Sequence, residues 1–226
     1  MAETINIVTY ISKLNDTNMY LVQDKETDHA ILIDPSEAEP VREWLRKEQL
    51  WLDYIILTHE HYDHIAALNQ LIREYPAPVV ASGACSEGIQ SAKRNMSRIF
   101  NVVLAFQKEK YPDKEIFSGS VKPYEAQSAQ VTFEEEFQLN WNSHQVQIWE
   151  APGHSKGSVL ISLDGKYLFS GDTLSCDYEL ITGFPGGSKK EYEQITRPLL
   201  QSFDKEMKVY PGHGNSFVMK EAEDRI

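Results

Sequence analysis

A cluster of potential metal ligands follows directly on a predicted strand, and it constrains the fold more than any other feature of the sequence. The strand is the apolar stretch Tyr54–Leu57, and the cluster reads Thr-His-Glu-His-Tyr-Asp-His over residues 58–64. Imidazole and carboxylate groups together suit zinc and similar divalent metals. On a loop at a strand end, His59 and His61 can face one ion, and Asp63 and His64 then turn toward a second position. A histidine-rich solvent loop is the alternative interpretation.

Three further potential ligands follow predicted strands later in the chain. His154 lies in Ala-Pro-Gly-His-Ser, Asp172 in Ser-Gly-Asp-Thr and His213 in Pro-Gly-His-Gly. Glycine lets the backbone bend sharply and approach a site closely. Each residue taken alone fits an ordinary polar turn, but together with the first cluster they predict a metal centre built from strand-end turns.

The composition indicates one globular domain over residues 1–226. Hydrophobic residues make up 41% and charged residues 25% of the 226, which are ordinary globular values. No apolar run reaches the roughly 18 residues of a membrane-spanning helix, and no secretory signal is recognisable at the N-terminus. Cys85 and Cys176 are therefore expected as thiols in the cytoplasm. The net charge of −12 excludes the broad basic face of a nucleic-acid-binding protein.

The pattern of hydrophobic residues predicts strands, then mixed strands and helices, then strands again with a late helix. Helices are predicted over Ile65–Glu74, Cys85–Phe100 and Lys189–Phe203, the last with a kink at Pro198. Residues 106–127 are expected to be irregular, and Asp164-Gly165 marks a hairpin turn. This order fits two sheets with helices outside them.

The four motifs together resemble the metallo-β-lactamase superfamily. They span residues 58–214 in the order of that family. The resemblance implies an α+β fold, a four-layer αββα sandwich with two metal ions at one edge of its sheets. It implies two Zn²⁺ per chain, with iron or manganese as alternatives. The implied ligands are His59, His61 and His154 for one ion, Asp63, His64 and His213 for the other, and Asp172 between them.

Shorter motifs resemble the glyoxalase-II-like hydrolases of the superfamily. They are Ser-Gly-Asp-Thr-Leu, Pro-Gly-Gly-Ser over Pro185–Ser188, the terminal Pro-Gly-His-Gly, and the weaker Asn-Met-Ser over Asn95–Ser97. Size and overall pattern resemble most closely the zinc-dependent hydrolases of bacterial polyketide antibiotic biosynthesis. The resemblance implies hydrolysis of acyl thioesters by a metal-bridging hydroxide that Asp63 helps to steer. An acyl carrier protein is the expected carrier of the acyl group. Asp34, at a strand end, is expected to accept a hydrogen bond from a ligating histidine.

Departures from the family pattern bear on three alternative functions. Relatives commonly carry Gly-Arg-Thr-Asp before Pro-Gly-Gly-Ser, whereas residues 179–184 here read Glu-Leu-Ile-Thr-Gly-Phe. The missing Arg and Asp argue against a mononuclear-iron persulfide dioxygenase. The chain ends 12 residues after Gly214, which argues against a glyoxalase-II-type hydroxyacylglutathione hydrolase with its longer C-terminal part. A non-catalytic metal-binding scaffold is the remaining alternative.

A basic segment stands out in this acidic chain. Residues 93–122 carry seven basic and three acidic side chains, a balance of +4. We expect Lys93, Arg94 and Arg98 to help dock an acidic carrier protein, and the alternative is a solvated helix face. Neither a nucleic acid nor a membrane is expected as a partner, and the oligomeric state stays open. His29 and His144 fit no motif and are expected at the surface.

Overall fold

The computed structural model describes residues 4–110 and 117–226, which form two compact units. The first unit comprises the chain up to Leu57 together with His61–Val80 and Gly88–Val131. The second comprises Thr58–Glu60, Ala81–Glu87 and Thr132–Ile226. The chain thus passes between the units within the first ligand cluster. That residues 1–226 form a single domain stays a prediction.

The first sheet has six strands in sequential order. They are β1 (Ile5–Ile11), β2 (Asn18–Asp24), β3 (His29–Ile33), β4 (Trp51–Ile56), β5 (Val79–Ser82) and β6 (Val131–Phe133). Strands β1 to β3 pair antiparallel, whereas β3, β4 and β5 pair parallel. Nearly every side chain of β2, β3 and β5 is buried, as expected for strands whose two faces are both covered.

Five helices of the described residues accompany this part of the chain, and they differ in three places from the prediction. They are α1 (Glu39–Glu48), α2 (Tyr62–Ile65), α3 (Leu68–Glu74), α4 (Gly83–Ile89) and α5 (Phe100–Lys110). The helix predicted over residues 65–74 is divided into α2 and α3. The expectation that residues 106–127 are irregular is wrong for the C-terminal part of α5, and residues 111–116 lie outside the described part.

The single helix predicted over Cys85–Phe100 is wrong. It ends at Ile89, and a 3-10 turn over Ser97–Ile99 precedes α5. The side chain of Asn95 explains the break, because its Nδ2 donates to the Ile89 carbonyl (3.2 Å) and its Oδ1 accepts from the Ser97 amide (2.9 Å). These bonds compete with helical backbone bonds. Met96, directly before the 3-10 turn, adopts a left-handed backbone with φ 64°, which a continuous right-handed helix cannot contain.

The second sheet lies in the second unit and also has six strands. They are β7 (Glu136–Trp141), β8 (His144–Glu150), β9 (Val159–Leu163), β10 (Tyr167–Gly171), β11 (Lys208–Pro211) and β12 (Phe217–Val218), in the order β12-β11-β10-β9-β8-β7. Only the β10–β11 pair is parallel among the described pairs. Asp164 and Gly165 have φ of 56° and 63°, the signature of a type I′ turn, so the predicted β9–β10 hairpin is confirmed.

The late helix is interrupted as its proline suggests. It consists of α6 (Lys189–Glu191), a π turn over Tyr192–Thr196, and α7 (Arg197–Ser202). Pro198 has no amide hydrogen to bond the carbonyl four residues earlier, and the widened turn ends two residues before it. Tyr192 and Leu200 pack into the core of the second unit beside Leu160 and Val209.

Two mixed sheets with attendant helices confirm the α+β fold class. No helix in the described residues is long and apolar enough to cross a membrane. Cys85 and Cys176 are not joined by a disulfide, as expected. Burial raises the pKa of the Cys176 thiol, so this thiol is protonated at neutral pH.

Candidate metal centre

Three predicted ligands of the first unit lie where the chain passes from an extended loop into helix α2. His61 precedes the helix with extended backbone (φ −64°, ψ 145°), and Asp63 and His64 are its second and third residues. All three side chains are buried, with exposed fractions of at most 4%. The turn is held by the Tyr62 amide, which donates to the Asn95 carbonyl at 2.8 Å. The change from extended to helical backbone therefore separates His61 from Asp63 and His64, as the motif spacing suggests.

Asp34 is the immediate neighbour of His64. The Nδ1 of His64 lies 2.9 Å from Oδ2 of Asp34, and both side chains are almost fully buried. Because a carboxylate accepts, Nδ1–H is the donor, and Nε2 is then the nitrogen that would ligate a metal. Nε2 lies 4.0 Å from Oδ2 of Asp63. Asp34 adopts φ 56° just after β3, a left-handed conformation that Asp tolerates better than most residues.

Two residues that the sequence did not single out hold the Asp63 carboxylate. Asn15 Nδ2 donates to Oδ2 of Asp63 at 2.6 Å, and Thr17 Oγ1 donates to the same oxygen at 2.9 Å. Both come from the loop between β1 and β2. No local motif connects them with Asp63, because they are 48 and 46 residues away in the chain. They fix the orientation of the carboxylate.

The second unit contains the other four predicted ligands. The rings of His59 and His154 stand edge to face with centroids 5.0 Å apart. The Nδ1 of His154 lies 3.0 Å from the Ile181 carbonyl oxygen, which can only accept, so Nδ1 carries the proton. The Thr58 hydroxyl lies 3.0 Å from Nδ1 of His59. In His154, Nε2 is consequently the nitrogen whose lone pair is available for a metal.

Asp172 lies between two of these histidines. Its Oδ2 is 3.4 Å from Nε2 of His154 and 3.5 Å from Nε2 of His213. A charge-assisted N–H···O bond would measure roughly 2.7–2.9 Å. Two ligands bound tetrahedrally at about 2.1 Å from one ion lie about 3.4 Å apart. The observed distances therefore fit ligands that share cations, and the donor set fits the metal that the motifs predict.

A buried carboxylate that the sequence analysis did not select braces the His154 turn. Glu60 is 1% exposed, and its Oε2 accepts a hydrogen bond from Ser155 Oγ at 2.7 Å. A Cβ on Gly157 would lie 2.5 Å from Oε2 of Glu60 and from the Cys85 backbone, so this close packing requires glycine. Glu60 thereby links the first ligand cluster to the turn that carries His154.

The predicted docking residues do not share one helix face. Lys93 and Arg94 lie in the turns after α4, and Arg98 lies in the 3-10 turn. Lys93 and Arg98 are exposed and Arg94 is half-buried. Of the other basic residues in the segment, Lys114 lies outside the described residues.

Comparison with known families agrees with the motifs. The family model described as the metallo-beta-lactamase superfamily matches residues 13–213. The chain belongs to this superfamily. A hydroxyacylglutathione hydrolase from Pelagibacter ubique is 27% identical over 209 residues, covering 91% of this chain and 70% of the relative. A hydroxyacylglutathione hydrolase from Idiomarina loihiensis is 26% identical, covering 93% of this chain and 64% of the relative. The chain thus spans about two thirds of the length of these curated relatives.

Solved structures share the fold of this chain. The BLEG-1 B3 metallo-beta-lactamase superposes with a TM-score of 0.75 at 24% identity, covering 97% of this chain and 96% of that chain. The protein TTHA1623, crystallised in a di-iron-bound form, superposes with a TM-score of 0.69 at 23% identity, covering 97% and 98%. At these identities the likeness establishes the α+β metallo-beta-lactamase sandwich.

Proposed function

We propose that the protein is a metal-dependent hydrolase of acyl thioesters that works with two Zn²⁺ ions. His59, His61 and His154 would hold one ion, and Asp63, His64 and His213 the other. The imidazole and carboxylate groups of each set are ligands that suit a divalent metal ion. Asp172 would join the two ions. The observation that carries the proposal is the position of the Asp172 carboxylate, 3.4 and 3.5 Å from two histidine nitrogens.

The chemistry follows from how the ligands are held. Bound zinc would lower the pKa of water to about 7 and polarise a carbonyl oxygen. Asp63, oriented by Asn15 and Thr17, would accept a hydrogen bond from the attacking water and so direct its lone pair at the carbonyl carbon. Asp34 would keep the His64 imidazole in the tautomer that ligates through Nε2. A thiolate, with a pKa near 8.5, leaves without needing a general acid.

The substrate class rests on the relatives. Two curated relatives are named hydroxyacylglutathione hydrolase, an activity on a thioester, and this supports a thioester substrate. A glutathione thioester and a carrier-bound acyl group are both compatible with such a reaction. Our narrower proposal is a carrier-bound acyl thioester in polyketide antibiotic biosynthesis. It rests on the resemblance of the sequence to those hydrolases, and a location in the cytoplasm likewise stays a prediction from the sequence.

The surface around the basic segment supports the proposal that an acyl carrier protein docks there. Exposed Lys93 and Arg98 accompany the apolar side chains Ile99, Val102 and Phe106, which are 43%, 54% and 67% exposed. These three are spaced as one stripe along a helix. A positive and apolar surface on a protein of net charge −12 complements an acidic partner.

The function is tested with metal analysis and three acetyl thioesters, carried on glutathione, N-acetylcysteamine and a carrier protein. His59→Ala and Asp172→Ala should lose bound zinc and hydrolysis of all three together. His29→Ala is the matched control, because His29 is a histidine paired with Asp53 (2.8 Å) outside the motifs. Full hydrolysis by a metal-free variant would contradict the proposal, as would bound iron with oxygen uptake on a persulfide.

The carrier is tested separately. Lys93→Glu combined with Arg98→Glu should raise KM for the carrier-bound substrate and leave KM for the N-acetylcysteamine thioester unchanged. Lys25→Glu combined with Arg46→Glu, at exposed residues of the β2–β3 turn and of α1, makes the same change of charge outside the basic segment. An equal effect on both substrates would overturn the docking proposal and leave the hydrolase proposal standing.

A further inference from the structure

The loop from Asp177 to Gly187 exposes apolar side chains next to the predicted ligands. It is the segment in which the sequence departs from the Arg- and Asp-containing pattern of relatives. Tyr178 is 38% exposed and Ile181 is 50% exposed, whereas Leu180 between them packs on the core of the second unit. Large exposed apolar side chains on an ordered loop often mark a binding surface.

Hydrogen bonds anchor both ends of this loop. At its start, Oδ2 of Asp177 accepts from the Asn215 amide at 2.7 Å, just after the turn that carries His213. At its end, the Ser188 amide donates to the Gly153 carbonyl at 2.8 Å, just before His154. A Cβ on Gly187 would lie 2.5 Å from the Thr182 carbonyl oxygen, so the loop is folded tightly on itself. Its apolar side chains are therefore held in place beside the two histidines.

Three contacts connect the loop with those histidines. The Ile181 carbonyl oxygen accepts from Nδ1 of His154 at 3.0 Å. The Phe184 ring meets the His154 ring edge to face, with centroids 5.9 Å apart. The Tyr178 ring meets the His213 ring in the same way at 6.1 Å. A thioester whose carbonyl group lies beside these two histidines would have its acyl chain within reach of the side chains of Tyr178, Ile181 and Phe184.

We propose that Tyr178, Ile181 and Phe184 form a subsite for an apolar acyl group of the substrate. The inference rests on the proposed thioester hydrolysis and specifies its substrate. The acyl side of the thioester is favoured over the thiol side by charge. Exposed Asp177 and Glu179 flank Tyr178, and they would repel the carboxylates of glutathione or the phosphate of a carrier arm. An uncharged hydrocarbon chain meets no such repulsion.

The test is a series of N-acetylcysteamine thioesters from acetyl to hexanoyl. Complete burial of one methylene group strengthens binding about fourfold, and half burial on an open loop strengthens it about twofold. We expect kcat/KM to rise about 15-fold over the four added methylenes. In Ile181→Ser the rise should fall below about fivefold. Ile195→Ser is the matched control, because Ile195 is 48% exposed on the π turn outside the loop, and it should keep the full rise.

A second measurement separates this inference from the proposed reaction. Calorimetry on the zinc-loaded protein should find hexanoate bound about 15-fold more tightly than acetate, with the difference reduced in Ile181→Ser and retained in Ile195→Ser. This readout stands even if no thioester is hydrolysed, an outcome that would overturn only the proposed function.

Three results would overturn the subsite. One is equal kcat/KM for acetyl and hexanoyl thioesters together with equal binding of acetate and hexanoate. Another is an identical chain-length dependence in the Ile181→Ser and Ile195→Ser variants. The third is a rate that depends on the thiol of the substrate and not on its acyl chain. It would be seen as faster hydrolysis of S-hexyl thioacetate than of acetyl N-acetylcysteamine, with equal rates for acetyl and hexanoyl N-acetylcysteamine.

Discussion

Removing the carboxylate of Asp34 should weaken both the metal centre and the fold around it. Asp34 is 1% exposed and accepts a hydrogen bond from His64 Nδ1 at 2.9 Å. Asp34→Ala deprives that buried N–H of this acceptor, at a cost of about 1–3 kcal/mol. Alanine must also adopt the left-handed φ of 56° that Asp34 has, which costs about 1–2 kcal/mol more. The free energy of unfolding should therefore fall by about 2–5 kcal/mol.

Asp34→Asn separates the charge from the geometry. Asparagine keeps an acceptor oxygen for His64 and tolerates left-handed backbone as well as aspartate does. We expect it to lose about 1 kcal/mol or less of the free energy of unfolding. The loss of negative charge behind the imidazole of the proposed ligand His64 should still lower zinc affinity, within the 10–100-fold range typical of such changes, and Asp34→Ala should reach the upper end.

Urea unfolding of the metal-free variants and zinc competition against a chelator measure these two effects. The expected order of stability is wild type, then Asp34→Asn, then Asp34→Ala. Equal stability of the alanine variant and the wild type would refute the reasoning about the buried hydrogen bond. Unchanged zinc affinity in both variants would refute the role of Asp34 behind His64.

Two further predictions concern buried groups. Ser155→Ala removes the hydrogen bond to the buried Glu60 carboxylate and should lower the free energy of unfolding in urea by about 1.5–3 kcal/mol. Ser202→Ala, at an exposed serine, should lower it by less than about 1 kcal/mol. Equal losses in the two variants would contradict the role of the Ser155 hydrogen bond. Burial raises the pKa of Tyr124 to about 12. Between about pH 10 and 12 the folded protein therefore keeps the phenol proton that the unfolded chain has released. The free energy of unfolding consequently falls as the pH rises through this range. Tyr124→Phe should reduce the loss between pH 9 and 11 by about 1 kcal/mol, and an unchanged loss would contradict the burial argument.

The features predictable from the sequence are those that short-range chemistry determines. The Asp164-Gly165 pair specifies a type I′ turn because both positions need positive φ, and the hairpin forms there. The order of strands and helices followed from their hydrophobic periods. Asp34 was placed at a strand end, and the structure puts it 2.9 Å from His64.

Features that depend on long-range contacts escaped the sequence analysis. Asn15 and Thr17 reach Asp63 only through the fold. Asn95 breaks the helix predicted over Cys85–Phe100 partly because its side chain also bonds the distant Tyr124 carbonyl at 2.8 Å. The expectation of a surface position is wrong for His144, which is 5% exposed and lies 2.7 Å from Asp164. Such partners cannot be found from spacing because their positions along the chain are unrelated.

The most direct test of the central claim is the rate of thioester hydrolysis as zinc is returned to the chelator-treated protein. Acetyl N-acetylcysteamine is a suitable substrate, because it needs neither a carrier protein nor glutathione. The account predicts negligible hydrolysis without metal and recovery that saturates at two equivalents of zinc per chain. Undiminished hydrolysis by the metal-free protein, or no hydrolysis at two bound equivalents, would contradict it.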